Sequence, residues 1–298
     1  MSAPAVGTPG GDGLDGSSGD GLDGSSGDGL DGSSAGPVGA RADAPPTPAR
    51  RFLGGRLSLR VLVTPLALAL AGVAVWSVSQ SETTDFDRAQ VGALLNRAFI
   101  QARLAEHVRL STASSGLALL VALPAGVALT RGRAARFAQP LVWVARAGQT
   151  IPTISVLALV VTYTSLGFRP ALVALWIYSI LPILQNTVVG LRGVDADVID
   201  AARGMGMAPA TILRRVELPL ALPVIVAGVR TAVVLNVGTA ALATFVGAGG
   251  LGQIVDTGIT NLSQPLLYAG AGFTAILALA FDWVVALIGD LITPPRLA

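Results

Sequence analysis

Six stretches without a charged residue recur along the chain, at 61–81, 110–130, 147–168, 170–191, 231–255 and 257–281. Each reaches the ~20 residues that a helix needs to cross a hydrocarbon core. They are apolar on every face, whereas the strands of a membrane barrel alternate apolar and polar positions. Backbone groups in lipid must be satisfied within the segment, so the pattern predicts six helical spans, the fifth beginning earlier than its uncharged run, near Pro219.

The polar interruptions carry the rest of the organisation. Gly-Asp-Gly-Leu-Asp-Gly-Ser-Ser occurs in tandem at 11–18, 19–26 and 27–34, and Pro45-Pro46-Thr47-Pro48 leads into Arg50-Arg51. Such a stretch has too little apolar surface to offset its ordering entropy, which predicts a disordered tail over 1–56. The octapeptide period differs from the nonapeptide of calcium-binding strand arrays. Arg41, Arg50, Arg51, Arg56 and Arg60 precede the first span, Arg131, Arg133 and Arg136 follow the second, and Arg192, Arg203, Arg214 and Arg215 follow the fourth. Under the positive-inside rule these segments are cytoplasmic, and both termini are expected there. The predicted layout is a tail at 1–56, an N-terminal span at 58–80, an extracytoplasmic linker at 81–103, a transmembrane core at 104–287 and a cytoplasmic tail at 288–298.

Composition agrees with a membrane protein: 52% hydrophobic and only 13% charged residues, with a mean hydropathy of +0.66, against about 25% charged in soluble domains. Despite a net charge of +2, the basic residues flank spans and form no basic face for nucleic acid. All 20 basic residues are arginines, there is no cysteine, and His107 is the single histidine. No thiolate metal site exists, one histidine builds no metal cluster, and no cofactor or catalytic grouping is expected.

One interruption has an internal design. Val194–Ala202 suits a short helix, Gly204 and Gly206 permit a sharp turn, and Pro209 is placed to open a second helix. That second helix carries Ile212, Leu213 and Val216, and Leu218-Pro219 starts the next span. A hairpin over 194–219 would present a knob to a partner; an amphipathic loop lying in the interface is the plainer alternative.

The spacing resembles the permease subunits of binding-protein-dependent ABC importers. Their cytoplasmic pattern is Glu-Ala-Ala, three residues, Gly, nine residues, then Ile-x-Leu-Pro. This chain has Asp200-Ala201-Ala202, Gly206 and Val216-Glu217-Leu218-Pro219 at those separations, with Asp for Glu and Val for Ile. The resemblance covers about residues 104–287. Segments such as Gln149-Thr150-Ile151-Pro152-Thr153 and Val246-Gly247-Ala248-Gly249-Gly250-Leu251-Gly252 look like the osmoprotectant branch, which carries glycine betaine, choline or carnitine. The resemblance implies an all-α integral membrane fold of the type I importer class, a five-helix core plus one preceding span. It implies that the hairpin docks in a cleft of a separate ATPase subunit. Asp200, Ala201, Ala202 and Gly206 would make that contact, and Val216, Leu218 and Pro219 would fix the hairpin to the core. Implied partners are two ATPase subunits, an extracytoplasmic binding protein and a second permease chain, identical or paralogous, in the cell membrane.

Other features are weaker. Gly247-x-Gly249-x-x-Gly252 satisfies a dinucleotide fingerprint literally, but no acid follows within 257–281, so a flexible outer loop is expected. The chain has no lysine and hence no phosphate loop, which places ATP hydrolysis on another chain. Arg230 lies 11 residues beyond Pro219, roughly 16 Å along a helix, and Asp282 lies in the last span at a comparable depth. Charges in a span are functional candidates, and an Arg230–Asp282 ion pair or a pathway-facing Arg230 are the two readings. Pro124, Pro152, Pro182 and Pro223 each remove a helical hydrogen bond. Trp143, Tyr163, Trp176 and Tyr178 are read as interfacial anchors rather than a cation cage, and His107 as a satisfied or solvated interfacial residue. A permease for another small polar solute such as an amino acid, a secondary transporter and a noncatalytic membrane anchor are the alternatives. A secondary transporter would need an inverted repeat and mid-membrane ion-coupling groups.

Overall fold

The computed structural model describes residues 63–77, 91–92 and 95–293. The repeat tail, most of the linker at 81–103 and residues 294–298 lie outside the described residues. The helices are α1 (Val63–Ser77), α2 (Arg97–Ala128), α3 (Ala135–Gly148), α4 (Thr153–Tyr163), α5 (Phe168–Arg192), α6 (Ala196–Gly204), α7 (Pro209–Ile212), α8 (Leu218–Ala240), α9 (Gly252–Thr260) and α10 (Gln264–Ile292). Among the described residues all regular structure is helical.

Four stretches are long and apolar enough to cross a membrane: Arg97–Ala128, Phe168–Arg192, Pro209–Val246 and Gln264–Ile292. The pair Gly132–Gly148 and Thr153–Tyr163, bent by 95°, is a fifth only when its two halves are counted as one span. The uncharged run at 147–168 predicts one continuous span; instead the helix breaks at 149–152, between α3 and α4. Pro152 explains the break, because it supplies no N–H and sits with ψ 130° as the residue before α4. Pro124, Pro182 and Pro223, by contrast, lie inside α2, α5 and α8.

Helix α2 starts at Arg97, upstream of the predicted core boundary at 104. Asn96 caps it by accepting from the Phe99 N–H at 2.9 Å, which satisfies one of the donors left orphaned at a helix start. Val91 and Leu95, assigned to the linker by sequence, are buried against Leu251, Ile254, Leu266 and Ala269.

α5 lies at the centre, packed on α2, α4 and α8, and α10 packs on α8 and α9. Two close approaches set the spacing. A Cβ on Gly126 of α2 would stand 2.6 Å from Thr187 of α5, and one on Gly228 of α8 would collide with Asn186 of α5. Without a hydrophobic difference between lipid and helix, such small residues let backbones approach and gain dispersion contact. Helix α1 stands outside this core, and Val75 fills the space over Gly272 of α10.

Candidate functional site

Two polar clusters flank α8, one at each end. At its start the chain forms the hairpin. Asp195 caps α6 by accepting from the Asp197 N–H at 2.9 Å. The turn then closes with Gly206 at φ 76°, the Gly206 N–H on the Arg203 carbonyl at 2.9 Å and the Met207 N–H on the Ala202 carbonyl at 3.2 Å. No atom lies within 4 Å of a Cβ placed on Gly206, so the glycine is required by its backbone angle rather than by space. Pro209 opens α7 where its missing N–H costs nothing.

The hairpin presents one face outward. Asp200, Ala201 and Gly206 are exposed, as are Val198 and Met205. Asp200 pairs with Arg203 at 2.7 Å with both side chains 67% exposed. Ala202 was expected to touch a partner, but it is only 2% exposed. Successive helical residues point about 100° apart, so Ala201 and Ala202 cannot share a face; Ala202 closes the hairpin from within. The root is apolar: Val194, Leu213 and Leu218 pack on Leu191, Ala221 and Ile225, joined by Leu123 and Val127 of α2. Val216 and Pro219 are partly buried beside them.

Glu217, passed over in the sequence motif, is the buried acid of this root. A π turn over Leu213–Glu217 precedes α8, with the Leu218 N–H reaching back to the Leu213 carbonyl. Its last residue, Glu217, has a side chain 6% exposed and takes both arms of the Arg131 guanidinium, Nη1 to Oε1 at 3.0 Å and Nη2 to Oε2. Arg131 follows the end of α2 in extended backbone, and its carbonyl accepts from Ala134 and Ala135 at 3.1 and 3.2 Å. Partial burial pulls the guanidinium below its ordinary value, yet arginine stays charged at physiological pH.

At the other end of α8 a 3-10 segment, Ala241–Val246, runs into the glycine loop. Gly247, Gly249 and Gly250 all have positive φ, and α9 then folds back on α10. Sequence predicts a flexible loop here; the loop is instead pinned. The Gly250 N–H donates to Glu106 at 2.9 Å and the Leu251 N–H donates to His107 Nδ1 at 3.2 Å. Because Nδ1 accepts, the ring proton is on Nε2, which donates to the Val237 carbonyl at 2.9 Å. His107 is 1% exposed, fully satisfied and not solvated. Two turns further along α2, Asn236 of α8 donates to Ser114 and Ser115 at 2.6 and 2.7 Å. Helix α2 thus holds the loop near its start and the hairpin just past its end.

A bundle of apolar helices with a solvent-exposed helical hairpin between two spans is an architecture with known relatives. Residues 119–294 match the family model described as the binding-protein-dependent transport system inner membrane component. The chain belongs to that family. It is an ABC importer permease. It is 43% identical over 190 residues to the choline transport system permease protein OpuBB of Bacillus subtilis, covering 63% of this chain and 86% of that one. It is 40% identical over 193 residues to the glycine betaine/carnitine/choline transport system permease protein OpuCB of the same organism, covering 64% and 88%. The osmoprotectant import permease protein OsmY of Salmonella typhimurium is 42% identical over 188 residues, covering 63% and 80%. Among solved structures, the inward-facing MetNI methionine ABC transporter aligns with a TM-score of 0.54 at 26% identity, covering 65% of this permease and 94% of that chain.

The two charges singled out in the sequence as intramembrane candidates, Arg230 and Asp282, lie together. Arg230 donates from Nε and Nη2 to the Asp282 carboxylate at 2.8 and 2.6 Å. They border a cavity of about 290 Å³ whose other wall is Thr64, Ala67, Leu68 and Ala71 of α1. The pair therefore faces the outlying first helix. Trp143 and Tyr163 are exposed at 63% and 81%. Among the described residues no group of three or more His, Cys, Asp or Glu side chains is placed to hold a metal.

Proposed function

We propose that the permease imports quaternary-amine osmoprotectants of the choline, glycine betaine and carnitine type, driven by ATP hydrolysed on separate subunits. Support comes from the relatives at 40–43% identity, all named for such compounds or for osmoprotectants, over nearly their full lengths. The hairpin at 194–219 is the docking element for the ATPase, through Asp200, Ala201 and Gly206 with Val198 and Met205. Its exposed apolar side chains on a structured helical turn support this reading. The hairpin end is then cytoplasmic and the glycine-loop end extracytoplasmic, in line with the arginine placement.

In this scheme two permease chains, identical or paralogous, enclose one pathway, and the binding protein delivers the amine at the glycine-loop end. ATP binding closes the ATPase pair, moves the two hairpins and turns the cavity outward; hydrolysis resets it. Reconstitution of the permease with its ATPase and binding protein tests the proposal. Labelled choline, glycine betaine or carnitine should accumulate only with ATP inside the compartment that holds the ATPase. Accumulation of an amino acid in place of all three would overturn the substrate class, and uptake driven by an ion gradient without ATP would overturn the mechanism.

A further inference from the structure

We propose that Arg131 and Glu217 are positioning residues that lock the hairpin to the end of α2, so that displacement of the hairpin tip turns the helix bundle instead of bending the hairpin root. The proposal rests on the reading of the hairpin as the ATPase contact and deepens it.

Three observations carry it. The first is the chemistry of the root without the pair. Leu191, Ala221, Ile225 and their neighbours form a purely apolar contact, and apolar contact is non-directional. It holds the hairpin against the bundle but does not fix its rotation. A planar guanidinium on a carboxylate through two parallel hydrogen bonds does fix it, because both partners must keep one relative orientation.

The second is the π turn. Its hydrogen bond spans one residue more than an α-helical one, it ends on Glu217, and such turns are frequent at functional sites. Glu217 would otherwise be a lone acid at the edge of an apolar span; here its carboxylate is turned inward onto α2. Third, Arg131 is itself held. Its carbonyl carries the first turn of the 3-10 segment that leads into α3, so the guanidinium gathers the end of α2, the start of α3 and the return limb of the hairpin. An ion pair with one partner buried, as here, adds little net stability over an apolar pair of the same shape. What it contributes is geometry.

The experiment uses the whole importer, permease with ATPase and binding protein, in proteoliposomes, with the labelled quaternary amine that the wild type imports. Glu217→Gln and Arg131→Gln should each lower the number of molecules imported per ATP by about tenfold or more, with ATP hydrolysis retained, and the double variant should be no worse than either single one. Unchanged stoichiometry in Glu217→Gln, or a double variant whose loss is the product of the two single losses, would refute the clamp.

Because the chain has no cysteine, Arg131→Cys with Glu217→Cys can be bridged by a short flexible thiol-reactive linker. The bridged permease should recover coupled import and the unbridged one should lack it. A bridge that abolishes import by an otherwise active double variant would mean that the two positions separate during the cycle, which also ends the proposal. This variant covers the case in which the single ones fail to assemble. Ala201→Cys carrying a photo-crosslinker separates the two layers of the argument. No adduct with the ATPase removes the docking reading; an adduct that persists in Glu217→Gln at unchanged stoichiometry removes the clamp alone.

Discussion

The two glycine turns at the ends of α8 differ in what surrounds them. Gly206 in the hairpin stands in open space and is needed only for its φ of 76°. Gly252, closing the opposite loop, has no such freedom: a Cβ there would run into the Ala241 carbonyl. The loop is also tied down by a fully buried histidine, whereas the hairpin tip offers exposed Val198, Asp200 and Met205. The difference teaches how a chain divides its work. The loop is completed by its own side chains, and the hairpin, on the docking reading proposed above, is left for another molecule to complete.

That contrast predicts that stability losses concentrate at the loop and coupling losses at the hairpin. The largest stability effect should come from His107→Ala, which empties a buried site and orphans the Leu251 N–H. A thermal unfolding midpoint in detergent should report a loss of about 3 kcal/mol or more. An unaltered midpoint would mean that the loop is not held by this ring. Gly252→Ala should follow, at about 2 kcal/mol, because the opposing atom is backbone and cannot rotate away. Gly206→Ala should lose only about 1 kcal/mol, the cost of a left-handed alanine, and Gly206→Asn less, because asparagine visits that region more readily. Both Gly206 variants should nonetheless depress ATP-driven uptake more than their midpoints suggest. Smallest in stability is Asp200→Asn, at under about 0.5 kcal/mol, since the Arg203 pair is solvent-exposed. Its effect should appear in co-purification of the ATPase; retention equal to wild type would remove Asp200 from the docking face.

Much of this was legible in the residue pattern, for identifiable reasons. Uncharged runs report spans because lipid admits few charges, and the Ala-Ala, Gly and Leu-Pro spacing reports the hairpin because each residue meets a local backbone demand. Arg230 and Asp282 drew notice for the same reason, as charges where charges are scarce. The parts that were not legible depend on rotation and on distant partners. Ala202 reads the same as Ala201 until the helix assigns them to different faces. Glu217 reads as one more polar residue in a cytoplasmic loop until a π turn aims it inward, 86 residues from Arg131 in sequence. Its one sequence signal was a lone acid between Val216 and Leu218-Pro219, at an edge where apolar neighbours leave it little water. The glycine loop looked mobile because glycine permits motion; only the structure shows the two α2 side chains that remove it.

The shielding of Glu217 also bears on ionic strength. Dissolved salt screens charges in contact with water, over about 8 Å at 0.15 M and about 3 Å at 1 M, and reaches enclosed pairs far less. The Asp200–Arg203 pair at the hairpin tip is open to that screening, whereas at the root the Glu217 side chain is 6% exposed and only its Arg131 partner, at 39%, meets water. When a cell loses water and its internal salt climbs, the tip electrostatics fade further than those of the half-shielded root pair. An importer of osmotic protectants built this way would retain its mechanical linkage under the very stress that calls for it.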